Sequence, residues 1–130
     1  ISASQIDIAM ELDRIGPHGV SWGAGGVMVI NDSHDILDIV ENTLEFFADE
    51  SCGKCTPCRE GTIQLLRLIR KIKSGVGRMC DLENLEELAE VMMDTSLCGL
   101  GQMSPVPLLS ALKNFNEEFI SILEGGDVLW

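Results

Sequence analysis

Four cysteines have the residue type and spacing needed to bind an inorganic centre. Cys52, Cys55 and Cys58 form a C-x-x-C-x-x-C run, and Cys98 follows much later, in Ser96-Leu-Cys-Gly-Leu-Gly101. Three thiolates in one short loop, with a fourth brought in by the fold, suit a cubic [4Fe–4S] cluster. Such a cluster transfers single electrons. The pattern therefore predicts an electron relay, and we identify no catalytic residue.

Structural zinc is the alternative for the same four sulfurs, because zinc also accepts four cysteine thiolates. Its usual sites use two separated C-x2-C pairs, whereas this chain has a triplet and one distant cysteine. The spacing favours the cluster. A second hypothesis stays open, in which a zinc-stabilised module has no catalytic role and binds other proteins.

The fifth cysteine, Cys80, lies outside the ligand pattern, and we interpret it as a free thiol. An odd number of cysteines fits poorly with a disulfide framework. Closely spaced C-x-x-C pairs are more typical of metal or redox sites in reducing compartments. We therefore expect a cytoplasmic protein.

Composition limits the other possibilities. The chain has 130 residues, of which 45% are hydrophobic, and a formal net charge of −12. This amount of apolar side chain predicts a folded domain. The negative charge argues against binding to nucleic acid or to anionic membranes. There is no apolar run of about 18 residues, so we expect no membrane insertion. Because the chain begins at Ile1, we expect it to be part of something longer.

The residues before Asn31 are interrupted by glycine and show few helical signals. The β-branched run Val27-Met-Val-Ile30 predicts a buried strand, and residues 6–10 a second short one. Gly23-Ala-Gly-Gly26 precedes the predicted strand, whereas the glycines of a dinucleotide-binding loop follow a strand. We interpret this segment as a turn.

The residues after Asn31 follow a helical period. Four amphipathic helices are predicted: from about Asp35 to Ala48 with Ser33 as its cap, from Pro57 or Glu60 to Lys73, from a cap at Asp81, and from Ser104-Pro105 to Gly125. The predicted fold class is mainly α, a four-helix bundle preceded by a short β segment. The cysteine loop leads directly into the second helix, whose N-terminus, together with Lys54 and Arg59, would stabilise an anionic cluster.

These motifs resemble a known family. The run Glu50-Ser-Cys-Gly-Lys-Cys-Thr-Pro-Cys-Arg-Glu-Gly61 and the later Leu97-Cys-Gly-Leu-Gly-Gln102 are similar to the C-terminal part of the flavoprotein subunit of NADH dehydrogenases. The second motif looks most like the diaphorase subunits of NAD-reducing and electron-bifurcating hydrogenases. The resemblance implies that residues 1–32 are the end of a β-grasp domain that binds soluble ligands. It also implies that residues 33–130 are a helical [4Fe–4S]-binding domain.

The resemblance also implies roles. Cys52, Cys55, Cys58 and Cys98 match the four cluster ligands of the family, in which the cluster takes electrons from FMN reduced by NADH. The expected partners are an FMN- and NADH-binding domain or subunit and other iron–sulfur subunits of a multi-subunit complex. The family's glycine-rich FMN and NADH loop is absent from these residues. We therefore expect no complete active site in this chain. If the parent is a eukaryotic complex, the expected location is the mitochondrial matrix.

Overall fold

The computed structural model describes residues 3–18 and 25–125. The chain divides into two compact units, Ile1–His34 and Asp35–Trp130. Every regular element within the described ranges is helical, which confirms the mainly α fold class. Besides two 3-10 turns at Ala3–Gln5 and Gly16–His18, the elements are α1 Leu12–Ile15, α2 Ile36–Asp49, α3 Thr56–Lys73, α4 Met79–Thr95, α5 Gly99–Met103, α6 Val106–Asn114 and α7 Asn116–Gly125.

The described residues of the first unit form no strand at either predicted position. Val27–Ile30 forms no strand, and its side chains are exposed, Val29 to 90%. Residues 6–10 form a turn and a bend in which the Ile8 N–H donates to the Gln5 carbonyl. A strand requires a neighbour that satisfies its backbone groups, and the described residues contain no second strand. Gly25 has φ +80°, consistent with the predicted turn, while Gly23 and Ala24 lie outside the described residues.

The second unit begins with α2, whose cap differs from the prediction. Asp35, the residue immediately before the helix, accepts a hydrogen bond from the Leu37 N–H at 2.8 Å. Ser33 instead donates to the Asn31 side chain. A cap must reach the second or third helical N–H group, and Ser33 lies two residues too early. The predicted amphipathic character of this helix is confirmed, because Leu37, Val40 and Leu44 on its apolar face are all buried.

Helix α3 packs against α2, and ion pairs join the two. Arg70 binds Glu41 and Glu45, each at 2.7 Å, and Lys73 binds Glu41 and Asp38. The hydrogen bonds from Lys73 and then Arg70 lower the pKa of Glu41. Positive charge in the last turn of α3 also suits the negative end of its helix dipole. Exposed ion pairs of this kind contribute little to stability, because solvent screens them.

Helix α4 begins at Met79, two residues before the predicted cap. Asp81 lies inside the first turn, where it accepts the Arg78 N–H at 2.7 Å and binds the Lys71 ammonium at 2.8 Å. Burial raises the pKa of Asp81, but the bonds from Lys71 and Arg78 outweigh burial, and the net pKa is lowered. Asp81 therefore ties α4 to α3 as well as satisfying the helix start.

The predicted last helix is divided into α6 and α7. Phe115 leaves helical geometry at φ −133° and ψ 30°, and α7 begins with the next residue. The short helix α5, just before this region, was not predicted. The bundle thus consists of three long helices and a divided fourth. The core that joins them includes the buried residues Leu65, Ile69, Ile72, Leu85, Met92, Leu108 and Phe119.

No helix among the described residues is both long and apolar enough to cross a membrane.

Gly61 permits the close packing of α3 on α4, and this generates a prediction. A Cβ atom at this position would overlap the buried Met92 side chain. We expect Gly61→Ala to lower the free energy of unfolding by about 1–3 kcal/mol, as overpacked cores do. Urea denaturation followed by circular dichroism measures this change. Gly99→Ala is the matched control, because its Cβ would enter open space. Equal effects of the two substitutions would contradict the argument.

Candidate functional site

The segment between α2 and α3 carries the cysteine run and is fixed by local hydrogen bonds. Gly53 has φ +72°, a conformation that favours glycine. The guanidinium of Arg59, in the first turn of α3, donates to the Gly53 carbonyl at 2.7 Å. The Gly53 N–H in turn donates to the Ser51 hydroxyl at 3.3 Å. The loop therefore folds back onto the beginning of the helix that follows it.

The three clustered cysteines differ in position and exposure. Cys52 lies in the loop and is exposed, Cys55 is the N-cap residue of α3 and half-buried, and Cys58 lies in the first turn and is buried. Residues three apart at a helix start share a face, so Cys55 and Cys58 lie on the same side of α3. Cys58 is therefore positioned by the helix itself and not by the loop alone.

Cys98 is brought to this end of the bundle by the connection between α4 and α5. It is the exposed N-cap residue of α5. The Gln102 side chain donates to the Ser96 carbonyl at 3.0 Å and closes the segment around Cys98. Gly101 lies against α3, where a Cβ atom would approach Cys58 Cβ to 2.9 Å and would also overlap the Ser96 side chain. A glycine at this position therefore allows the two cysteine segments to come together.

The Cys55 thiol is where the two segments interact most directly. The Cys55 side chain makes no hydrogen bond that caps α3. The backbone N–H groups of Leu97 and then Cys58 nevertheless stabilise its thiolate and lower the pKa of Cys55. Leu97 is the immediate neighbour of Cys98. Cys98 is therefore adjacent in sequence to the residue whose N–H group stabilises the Cys55 thiolate.

Within residues 3–18 and 25–125, no three His, Cys, Asp or Glu side chains are placed so that they could hold one metal ion. Sulfurs arranged tetrahedrally around one zinc ion would lie about 3.8 Å apart, given the usual Zn–S bond length. A cube places its four thiolates on four different irons, so it needs a wider arrangement of sulfurs.

A buried hydroxyl near Cys58 has no hydrogen-bond partner among the described residues. The Ser96 oxygen is buried and, among the described side chains, is the one nitrogen or oxygen atom of this kind without a hydrogen-bond partner. Buried polar atoms are normally paired. Its location beside Gly101 and Cys58, together with four free thiols, fits an inorganic group with sulfur acceptors. The residues present therefore fit a cluster held by Cys52, Cys55, Cys58 and Cys98.

Comparison with known proteins identifies the family of most of this chain. The family described as the iron–sulfur binding region of NADH-ubiquinone oxidoreductase-F matches residues 38–121. The chain belongs to this family. All four cysteines of the predicted set fall inside the matched residues, as does Cys80.

Individual relatives extend the match over nearly the whole chain. The chain is 38% identical over 124 residues to an NADH-quinone oxidoreductase subunit of Rhizobium meliloti, covering 95% of this chain and 30% of that protein. It is 35% identical over 119 residues to the NADP-reducing hydrogenase subunit HndC of Solidesulfovibrio fructosivorans, covering 92% of this chain and 24% of that protein. The chain thus spans less than a third of the length of these relatives.

Solved structures show the same likeness. An NAD⁺-reducing [NiFe]-hydrogenase in its H₂-reduced state contains a chain that matches 77% of this one at 36% identity, with a TM-score of 0.72. The match covers 18% of the hydrogenase chain. The fold is therefore that of one portion of a larger protein, as the resemblance implied.

Sequence reasoning missed three contributors to the site. The Leu97 N–H and the hydroxyls of Ser51 and Ser96 were not singled out, although both serines flank the cysteine motifs in sequence. Cys80, in the first turn of α4, is exposed and free. Arg59 is held by Gly53, Thr56 and Glu60, which keeps its charge beside the cysteine loop.

The position of Leu97 generates a prediction about thiol ionisation. In a metal-free variant that retains Cys55 alone, with serine at 52, 58, 80 and 98, alkylation should show a thiol pKa below that of the same chain in denaturant. The backbone N–H groups stabilise the thiolate only in the folded state, so the reactive form persists to lower pH. Adding Gly101→Val should move the midpoint back up by displacing the Leu97 segment. Identical midpoints in folded and unfolded chains would refute the assignment.

Proposed function

We propose that Cys52, Cys55, Cys58 and Cys98 bind a [4Fe–4S] cluster and that the chain relays electrons in an NADH-linked oxidoreductase. The observation that carries the proposal is the packing of the Cys98 segment against the start of α3, through Gly101 on Cys58 and Leu97 on Cys55. A bound cluster would supply a site that accepts and donates one electron at a time.

The residues around the cysteines suit this task. A cluster with four thiolates is anionic, and the chain carries a net charge of −12, so the local environment must supply positive potential. The eighteen-residue helix α3 begins at Thr56, immediately after Cys55, and its N-terminus contributes free N–H groups. Arg59 is anchored beside them by the Gly53 carbonyl. Cys58 lies almost entirely out of water, whereas Cys52 and Cys98 are exposed.

We propose partners from the fraction of the relatives that the chain represents. Relatives named as subunits of NADH-quinone oxidoreductase and NADP-reducing hydrogenase are much longer than this chain. FMN and NAD(H) would be bound by their remaining residues, or by a separate chain, and this portion would pass electrons to iron–sulfur subunits. Five free cysteines suit a reducing compartment, and we place the protein in the cytoplasm.

We also propose that residues 1–32 are the end of a β-grasp domain. Val27–Ile30 is apolar and exposed, and an apolar run of this kind is suited to pairing in a sheet. Its partner strands would come from other residues of a longer protein. A structure of such a protein containing this sequence should show residues 27–30 in a sheet, and a helix or an unpaired loop there would contradict the proposal.

The cluster itself is tested by anaerobic reconstitution with iron and sulfide. The purified chain should become brown and hold about four iron and four sulfide, as a cubic cluster requires. After reduction it should give an electron paramagnetic resonance signal. Cys98→Ser should lose or convert that signal, because the distant ligand is replaced, whereas Cys80→Ser should leave it unchanged.

The zinc alternative predicts a different outcome of the same experiment. A colourless chain that retains one zinc ion and no sulfide would overturn the proposal. In that case Cys98→Ser would chiefly cause loss of folding, because structural zinc contributes folding free energy directly.

A further inference from the structure

The hydroxyl of Ser51 lies between a backbone donor and the sulfur of a predicted cluster ligand. Its oxygen is 3.3 Å from Cys58 Sγ and accepts a hydrogen bond from the Gly53 N–H, also at 3.3 Å. Ser51 is the residue immediately before the first cysteine of the run. The contact joins the entrance of the loop to the first turn of α3, seven residues later.

The direction of this hydrogen bond follows from its chemistry. In a protonated thiol, either the sulfur or the oxygen could donate. A cysteine that binds metal is a thiolate and has no proton to donate. The Gly53 N–H already donates to a lone pair of the Ser51 oxygen, which leaves the hydroxyl proton available for Cys58. Cys58 is only 4% exposed, so little water competes for its sulfur.

We propose that Ser51 donates a hydrogen bond to the Cys58 thiolate and thereby raises the reduction potential of the cluster. This inference rests on the proposed function. Reduction adds one electron and makes the sulfurs more negative, so a donor to sulfur binds the reduced state more strongly. No covalent bond is made or broken. Ser51 is thus a positioning residue that adjusts the electron affinity of the centre.

Neighbouring polar groups do not take this role in the described structure. The Ser96 hydroxyl is close to the Cys58 backbone side, but it has no hydrogen-bond partner. The guanidinium of Arg59 is engaged by Gly53, Thr56 and Glu60. Among the described residues, Ser51 is the one whose hydroxyl contacts the sulfur of a proposed ligand.

The test compares reconstituted wild type with Ser51→Ala and Ser51→Thr by redox titration monitored by electron paramagnetic resonance. Ser51→Ala should shift the midpoint to a more negative potential, with up to about a tenfold change in the reduction equilibrium, or about 59 mV for one electron. Ser51→Thr retains the hydroxyl and should restore the wild-type potential. Ser121→Ala is the matched control, because Ser121 is an exposed serine on α7 that donates to the Glu118 carbonyl.

A second readout separates the donor from a merely structural role. After exchange into D₂O, electron–nuclear double resonance on the reduced cluster should show an exchangeable deuteron coupling that Ser51→Ala loses and Ser51→Thr keeps. Equal potentials and couplings in wild type and Ser51→Ala would overturn the inference.

Loss of the cluster also gives a decisive result. If Ser51→Ala and Ser51→Gly both fail to retain a cluster while Ser51→Thr retains it, Ser51 serves assembly of the loop and the inference is wrong. If the wild type itself holds no cluster, the proposed function fails, which is a different outcome from an unchanged potential.

Discussion

The site depends on the close contact between the Gly101 segment and the first turn of α3. Two chain segments that are far apart in sequence meet here, and a side chain at position 101 would collide with Ser96 and with the backbone side of Cys58. The contact places Leu97 where its N–H acts on the Cys55 thiol. Without it, the fourth cysteine would have no fixed relation to the other three.

This contact is held in turn by the packing of α3 between its neighbours. Cys58 belongs to α3, so its direction is set by a helix whose apolar face is buried against α2 and α4. Gly61, one turn further along, lets α4 approach through Met92. The end of α4 leads directly to Ser96 and Cys98. Core packing and site geometry are therefore coupled through two glycines on facing segments.

Charge is distributed so that the site keeps its positive groups. More than half of the lysine and arginine side chains in this acidic chain lie on α3. Those near its C-terminus are neutralised by Glu41, Glu45 and Asp81 on the adjacent helices. Arg59, at the other end, has its guanidinium anchored by a carbonyl of the cysteine loop. One helix thus serves both bundle cohesion and the electrostatics of the cysteine loop.

Local sequence signals were sufficient to predict the helices whose apolar residues follow a clear helical period. The helical period placed α2 and α3 to within a few residues, because this signal is local, and of the two predicted starts of α3 Pro57 lies next to the observed one at Thr56. Local signals failed where a partner decides the outcome. The run at residues 27–30 has strand propensity but no strand beside it among the described residues, and α6 ends at Asn114 although the apolar period continues.

The sequence alone determined the identity of the candidate ligands, since the spacing of Cys52, Cys55 and Cys58 with a distant Cys98 is chemical information carried by residue order. Tertiary structure decided how those ligands are presented: which thiol is buried, which N–H group acts on Cys55, and which hydroxyl contacts Cys58. The physical reason is the sequence distance over which each property is set. Ligand type and spacing are local properties, whereas the contacts that adjust each sulfur come from segments joined only by packing of the core.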